Sequence, residues 1–482
     1  MYAALIIDNR DTQSRDGRTF DRADPLTGRV VTQAAAATVD DAVAAVESAA
    51  KAFTAWSRTG PNERRDILLR ASALLLERTE DFTRLMMTET GASAPWVRFN
   101  VRLSAGMLRE AASITTHIKG EVIPGDKPGM MALALRRPAG VVLSIAPWNA
   151  PIILAVRAFA TAIACGNTVV LKASELSPGT QYLLGSVMRD AGLPPGVLNT
   201  ISNAPADAGK IVEAMIAHPA VRRVNFTRST RTGRIVAQTA AKYLKPALLE
   251  LGGKAPLIIL DDADIDNAVR ATAFGAFVHQ GQVCMSTERV VIDDKVADEF
   301  AQKIAVKAKS IVAGNPQISD VALGSLISRD AAQRVGALVA DAVGKGATLL
   351  AGGGIDGTIM EATVLDRVTP KMDIFYEESF GPVVCMVRVP DVEAAIRVAN
   401  DTEYGLSSGI FTRDVKLAMD IAQRLDFGCC HINGPTVHDE AQMPLGGMKA
   451  SGYGRFGGQP GIDAFTEIQW VTIEDPNQHY PF

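Results

Sequence analysis

From Val39 to about Thr90 the apolar residues recur three or four positions apart, with Asp40 and Asp41 near one start and Asn62-Glu63 behind Pro61 near another. A helix with one face on a core has this period, and acidic residues and proline favour its first turn. The spacing therefore predicts a helical stretch. From Arg137 the period changes. Residues 140–145, 167–172 and 221–227 are short apolar runs separated by helix-like segments. Strands covered on both faces read this way, and parallel strands need helical crossovers between them. A second series follows, with a strand-like 256–260, a helix-like 265–279 and a strand-like 289–292. Two α/β units are the economical prediction. Between the helices and the first strands, 120–137 carries Pro124 and Pro128 and then alternates from Met131 to Arg137. That segment reads as an edge hairpin, and with a strand-like tail at 468–473 it predicts a small third unit for self-association. No internal repeat or low-complexity segment interrupts the pattern.

Composition narrows the partners. At 482 residues the chain is long enough for two or three cores, and 47% hydrophobic with 21% charged residues is an ordinary globular balance. A net charge of −4 gives no electrostatic reason to expect nucleic acid or an anionic membrane. A small molecule suits the chain better. The five cysteines include no CxxC pair and no metal-ligand spacing to histidine, so no metal is expected and a reducing compartment is. Residues 1–7 lack a basic leader and no apolar run reaches the roughly 20 residues of a membrane span, which makes the cytoplasm the expected location.

Two residues carry the first chemical signal. Cys284 closes the run Gly281-Gln282-Val283-Cys284, and Glu250 upstream opens Glu250-Leu251-Gly252-Gly253-Lys254. A free cysteine by itself is usually a small buried hydrophobe, and most glutamates are surface groups. Together they offer a nucleophile, with a pKa lowered by its neighbours and a glycine that permits close approach to a ligand, and a base desolvated by Pro246-Ala247-Leu248-Leu249. Asn149, in Ala146-Pro147-Trp148-Asn149-Ala150-Pro151, follows a predicted strand where open α/β sheets place ligands. Its amide is either an oxyanion donor or a turn residue between two prolines. Lys172 and Glu175 end another strand and suit ribose hydroxyls, the carboxylate disfavouring a 2′-phosphate; exposed loop charges are the alternative. The passage Phe226 to Gly233 runs from strand to helix, with Ser229 and Thr230 suited to capping and free amides suited to a pyrophosphate.

In this order, seven segments resemble the aldehyde dehydrogenase superfamily over nearly the whole chain. They are Pro147-Trp148-Asn149, Lys172-Ala173-Ser174-Glu175, Phe226 to Gly233, Glu250 to Lys254, Gly281 to Cys284, Glu377-Glu378-Ser379-Phe380-Gly381-Pro382, and Pro444-Leu445-Gly446-Gly447-Met448-Lys449. The resemblance implies an α/β fold with a Rossmann-type cofactor domain, a second α/β catalytic domain and a small β oligomerisation unit. It assigns 1–119 and 139–250 to NAD binding, 251–440 to catalysis, 120–138 and 465–482 to self-association as a homodimer or homotetramer, and 441–464 to a return into the first domain. It makes Cys284 the nucleophile, Glu250 the base and Asn149 the oxyanion donor. Lys172 and Glu175 become adenosine-ribose ligands, Glu378 and Phe380 hold the nicotinamide ribose and ring, and Trp148 and Ser229 lie by the pyrophosphate. NAD is the implied cofactor, with NADP second.

Residues 430–444 and Met107 to Ala112 look similar to the branch that acts on vanillin, salicylaldehyde and benzaldehyde. That likeness implies an aromatic aldehyde as substrate, with Trp96, Ala150, Ile153, Leu154, Arg157 and Met285 as pocket walls. For Arg157 the alternative is a structural ion pair, for Trp96 core packing; His438 and Asp439 read as a rim or a solvated loop. A semialdehyde or aliphatic aldehyde dehydrogenase, or a non-catalytic member of the fold, are the rival readings. One departure stands out: Arg228 occupies a position where the superfamily usually has glycine, and it either swings outward or meets the dinucleotide.

Overall fold

The computed structural model describes residues 1–477 and 479–482; Gln478, within the predicted 465–482 segment, lies outside the described residues. The helical opening stretch resolves into Val39–Trp56, Pro61–Glu77 and Thr79–Thr90, followed by Ala94–Ser113. The first begins where Thr38 Oγ1 accepts the Asp41 amide at 3.2 Å while the Asp41 carboxylate takes the Thr38 amide at 2.9 Å. That reciprocal cap satisfies two donors that a helix start leaves open. Proline opens the second helix, where its missing N–H costs nothing.

Two sheets dominate the architecture. The first has eight strands, and its centre is five parallel ones in the spatial order Ala247–Glu250, Val221–Thr227, Val141–Ile145, Thr168–Lys172, Leu198–Ile201. The central strands are buried along their whole length, with helices such as Pro151–Ala164 and Pro178–Asp190 as crossovers. Register aligns Ile145 with Lys172 and with Phe226, and Thr227 with Glu250. The C-terminal ends of four strands therefore meet at one edge, the place where such sheets hold ligands. Gly452–Tyr453 returns antiparallel onto Ala247–Glu250 from the far end of the chain.

The second sheet has seven strands, with six parallel from Thr363–Asp366 through Val383–Val389, Thr287–Asp293, Ala255–Ile259 and Ser407–Phe411 to Cys429–Ile432. A third, antiparallel sheet joins Glu121–Ile123, Met131–Pro138 and Thr466–Ile473, so the hairpin and the tail expected from the sequence pair with one another. No helix among the described residues is long and apolar enough to cross a membrane.

Two differences from the sequence pattern have physical causes. The helix expected over 265–279 stops at Phe277, because His279 and Gln280 take left-handed backbone angles with φ of 49° and 56°. Side chains with a Cβ adopt that region rarely, and periodicity carries no trace of it. The opening residues also form strands that the sequence did not announce: Leu5–Ile7, Arg10–Thr12, Thr19–Ala23 and Val30–Ala35. They are short, and Arg10–Thr12 and Thr19–Ala23 are sheet edges, so alternation has few residues in which to show.

Candidate active site

Glu250 is the last residue of its strand, and Cys284 lies on the loop between the left-handed turn and the strand Thr287–Asp293. The two come from different sheets, and Cys284 Sγ is 3.3 Å from Glu250 Oε1. The Gly252-Gly253 pair makes this approach possible: a Cβ at Gly253 would overlap the Cys284 carbonyl oxygen, and one at Gly252 would meet Glu378 Oε2 at 2.8 Å. The close approach at Gly281 is to the Gly381 carbonyl rather than to a ligand, with φ of 66°.

Asn149 follows the strand Val141–Ile145. Its Nδ2 donates to the Gln282 carbonyl at 2.9 Å, and its own carbonyl accepts the Trp96 indole N–H at 3.2 Å. A primary amide has a second N–H to offer, so the side chain is fixed by one and free with the other.

Electrostatics corrects one expectation. The Cys284 thiol is pushed well above its ordinary value, first by burial and then by the Glu250 carboxylate, while Arg157 opposes the shift. The neighbours thus hold the proton on instead of removing it. Burial also raises Glu250, against Arg157 and the contact with Cys284, and its Oε2 is buried without a protein partner. A thiol and a carboxylate in contact, both raised, titrate as a coupled pair.

Two cavities meet at these residues. One of about 890 Å³ is lined by Trp148, Arg228, Ser229, Arg334, Glu378 and Phe380 among others. The second, about 870 Å³, contains all six predicted pocket residues, Trp96, Ala150, Ile153, Leu154, Arg157 and Met285. Asn149, Leu154 and Cys284 line both. Arg157 is in a buried ion pair with Asp439, so of the two readings of that arginine the structure displays the ion pair, set in the cavity wall. Asp439 is accordingly not a solvated loop residue; His438 beside it is half exposed and bonds Glu440 at 3.0 Å.

Comparison with known proteins gives a consistent match. Residues 12–471 match the Aldehyde dehydrogenase family. The chain is 57% identical over 477 residues to a vanillin dehydrogenase of Pseudomonas fluorescens, covering 99% of each. It is 48% identical over 483 residues to a salicylaldehyde dehydrogenase of Pseudomonas putida, covering 100% of each. The crystal structure of a salicylaldehyde dehydrogenase from Pseudomonas putida G7 complexed with salicylaldehyde superposes with a TM-score of 0.98, covering 100% of both chains at 48% identity. The chain belongs to the aldehyde dehydrogenase family. It is an aldehyde oxidoreductase, and members of this family use NAD(P).

The first of these cavities in this aldehyde dehydrogenase suits a dinucleotide in both size and chemistry. The helix Thr230–Lys242 points its first amides at that edge of the sheet, where a pyrophosphate is favoured. Ser229 does not cap the helix through its side chain; its Oγ lies 3.1 Å from Thr232 Oγ1 instead. Glu378 Oε1 accepts the Gly253 amide at 3.0 Å, and burial raises its carboxyl to about 7. Phe380 stands edge-on to Trp148, centroids 5.9 Å apart. Lys172 and Glu175 form a buried contact, and Glu175 Oε2 is 3.6 Å from Arg228. Arg228 therefore lines the cavity and does not swing away from it.

Several site residues of this enzyme escaped the sequence reading. Glu288, ion-paired with buried Lys254 at 2.7 Å, accepts the amides of Ser379 at 3.0 Å and Phe380 at 3.2 Å and so holds the loop that carries Glu378. Arg334 donates to the carbonyls of Glu378 and Ser379 at 3.1 and 2.6 Å. No local motif announces either. Phe99 and Leu103 in the second cavity were legible in principle, since they follow Trp96 at helical spacing on Ala94–Ser113. His279, stacked on Trp96 with centroids 4.9 Å apart and pushed by burial to about 3, was counted as helix.

Proposed function

We propose that this aldehyde dehydrogenase oxidises aromatic aldehydes bearing a ring hydroxyl, of the vanillin or salicylaldehyde type, to carboxylic acids with NAD as preferred cofactor. The observation that carries the reading is Cys284, 3.3 Å from a buried carboxylate, at the junction of an aromatic-lined cavity and a dinucleotide-sized one. The relatives named above add support for the aromatic class. The wall residues Trp96, Ile153, Leu154 and Met285 supply apolar area for a ring, and Ala150 leaves it space. A semialdehyde reading needs an uncommitted cation for the distal carboxylate, and the charge of Arg157 is already paired with Asp439.

In this reading Cys284 loses its proton to solvent, its Sγ bonds to the aldehyde carbon, and a thiohemiacetal forms. Asn149 Nδ2 and the Cys284 backbone amide face the oxyanion, where one such donor contributes about 2.7–4 kcal/mol to the transition state. The dinucleotide, when bound, supplies the hydride acceptor. Cys284 then holds a thioester. Glu250 takes a proton from water, water oxygen bonds to the acyl carbon, and the carbon–sulfur bond breaks to release the acid and the Cys284 thiolate. Trp148, Ser229, Glu378 and Phe380 would hold the dinucleotide, with Lys172 and Glu175 at its adenosine ribose.

We assign residues 1–119, 139–250 and 441–464 to cofactor binding and 251–440 to catalysis. The antiparallel sheet of 120–138 and 465–482 is the self-association element of a homodimer or homotetramer; Val122, Met131, Ile468 and Trp470 leave it with exposed apolar side chains. The test of the mechanism is Glu250→Gln in single-turnover and steady-state assays. The expected result is a retained NADH burst with steady turnover lowered about 10²–10⁴-fold. Loss of the burst, or full turnover, contradicts the assignment.

A further inference from the structure

Glu175 is buried, yet two cations face it. Lys172, at the end of the strand Thr168–Lys172, contacts Glu175 Oε1, and Asn203 Nδ2 donates to the same oxygen at 3.4 Å. Arg228 follows the strand Val221–Thr227 and reaches across the intervening strand Val141–Ile145 to Glu175 Oε2 at 3.6 Å. Burial pushes Glu175 up, but Lys172 and Arg228 together hold its carboxyl below the usual range, so it stays ionised. Burial and Arg228 push the Lys172 ammonium down while Glu175 holds it up, so two basic groups face one carboxylate at the cofactor edge of the sheet.

An ionised carboxylate alone at this place accepts from ribose hydroxyls and repels a 2′-phosphate, whereas a nearby arginine accommodates one. The Arg228 side chain is 38% exposed, its pair with Glu175 is long for a hydrogen bond, and it lines the cavity. A guanidinium offers five donors in a fork that fits phosphate oxygens two at a time. We infer that Arg228 is a specificity-determining residue that admits a 2′-phosphate beside Glu175, so that NADP binds to this enzyme as well as NAD. The inference rests on the dinucleotide reading of the cavity given above, and it deepens that reading.

Calorimetric titration without aldehyde tests it, using NAD, NADP and the half-ligands 5′-AMP and adenosine 2′,5′-bisphosphate against wild type, Arg228→Gly and Arg228→Lys. The expected result is that wild type binds both dinucleotides and that Arg228→Gly raises the ratio Kd(NADP)/Kd(NAD) at least about tenfold, as loss of a charged phosphate contact does. Arg228→Lys, which keeps the charge, retains most of the wild-type ratio, and the half-ligands follow the same order. An unchanged ratio in Arg228→Gly overturns the inference. Equal weakening of both dinucleotides also overturns it, since that places Arg228 on the shared pyrophosphate. Binding of neither dinucleotide to wild type is a separate failure, and it removes the cofactor reading itself.

Discussion

Glu250 helps burial to hold the proton on Cys284. Burial and the adjacent carboxylate raise the thiol, burial raises the carboxylate, and Arg157 moderates both from its pair with Asp439. The sign of the coupling yields a prediction: in the enzyme without ligands, the rate of Cys284 alkylation by iodoacetamide rises with pH through a midpoint above the ordinary thiol value. Replacing Glu250 by glutamine removes a negative charge that disfavours the thiolate, so the midpoint moves down. A midpoint that moves up, or stays, contradicts the coupling. The residue types at this site were legible in the sequence, because a cysteine, a glutamate and an asparagine stood in recognisable company. Their proton affinities were not. The sequence suggested a thiol lowered by its neighbours, and burial in the folded chain, reinforced by the approach of Glu250, reverses that sign.

Among the elements, the loop 377–382 depends most on distant residues. Its position is set by Glu288, which bonds the Ser379 hydroxyl and two loop amides and is neutralised by Lys254, the two charges lying almost wholly out of water. Lys254→Met leaves the Glu288 carboxylate buried without its cation, which costs about 3–5 kcal/mol. Urea unfolding is expected to show that loss, together with weaker dinucleotide binding through the displaced Glu378 and Phe380. A loss below about 1 kcal/mol would mean that Glu288 is held without Lys254. Buried parallel strands such as Val141–Ile145 were legible because apolar runs of that length leave few other readings. The turn at His279 and Gln280 was not, since left-handed backbone at two residues bearing side chains is imposed by the surrounding fold and not by local preference. The same fold-imposed turn brings His279 against Trp96 in the wall of the second cavity.

At the scale of the whole molecule, the chain brings the edges of two parallel sheets together so that one supplies Glu250 and Asn149 and the other Cys284. The antiparallel sheet is tied to the first by the Arg223–Glu467 ion pair at 2.7 Å, and Trp470 in it is 75% exposed. Trp470→Asp is expected to yield a smaller species by light scattering than wild type; an unchanged mass would remove this face from the proposed assembly. The alternation at 131–137 and the strand-like tail were visible in the sequence as one small unit, but their pairing register follows only from the folded chain. The resemblance implied pocket walls such as Trp96 and Arg157, but the junction of the two cavities was not legible, because residues as far apart in sequence as Trp96, Arg157, Cys284 and Asp439 converge only in space. That junction is the centre of the account, and steady-state kcat/KM over a panel of aldehydes with NAD tests it most directly. Hydroxylated benzaldehydes should exceed acetaldehyde and succinic semialdehyde by at least about tenfold, the scale of a single well-filled apolar contact. Acetaldehyde or a semialdehyde at the head of the panel would contradict it.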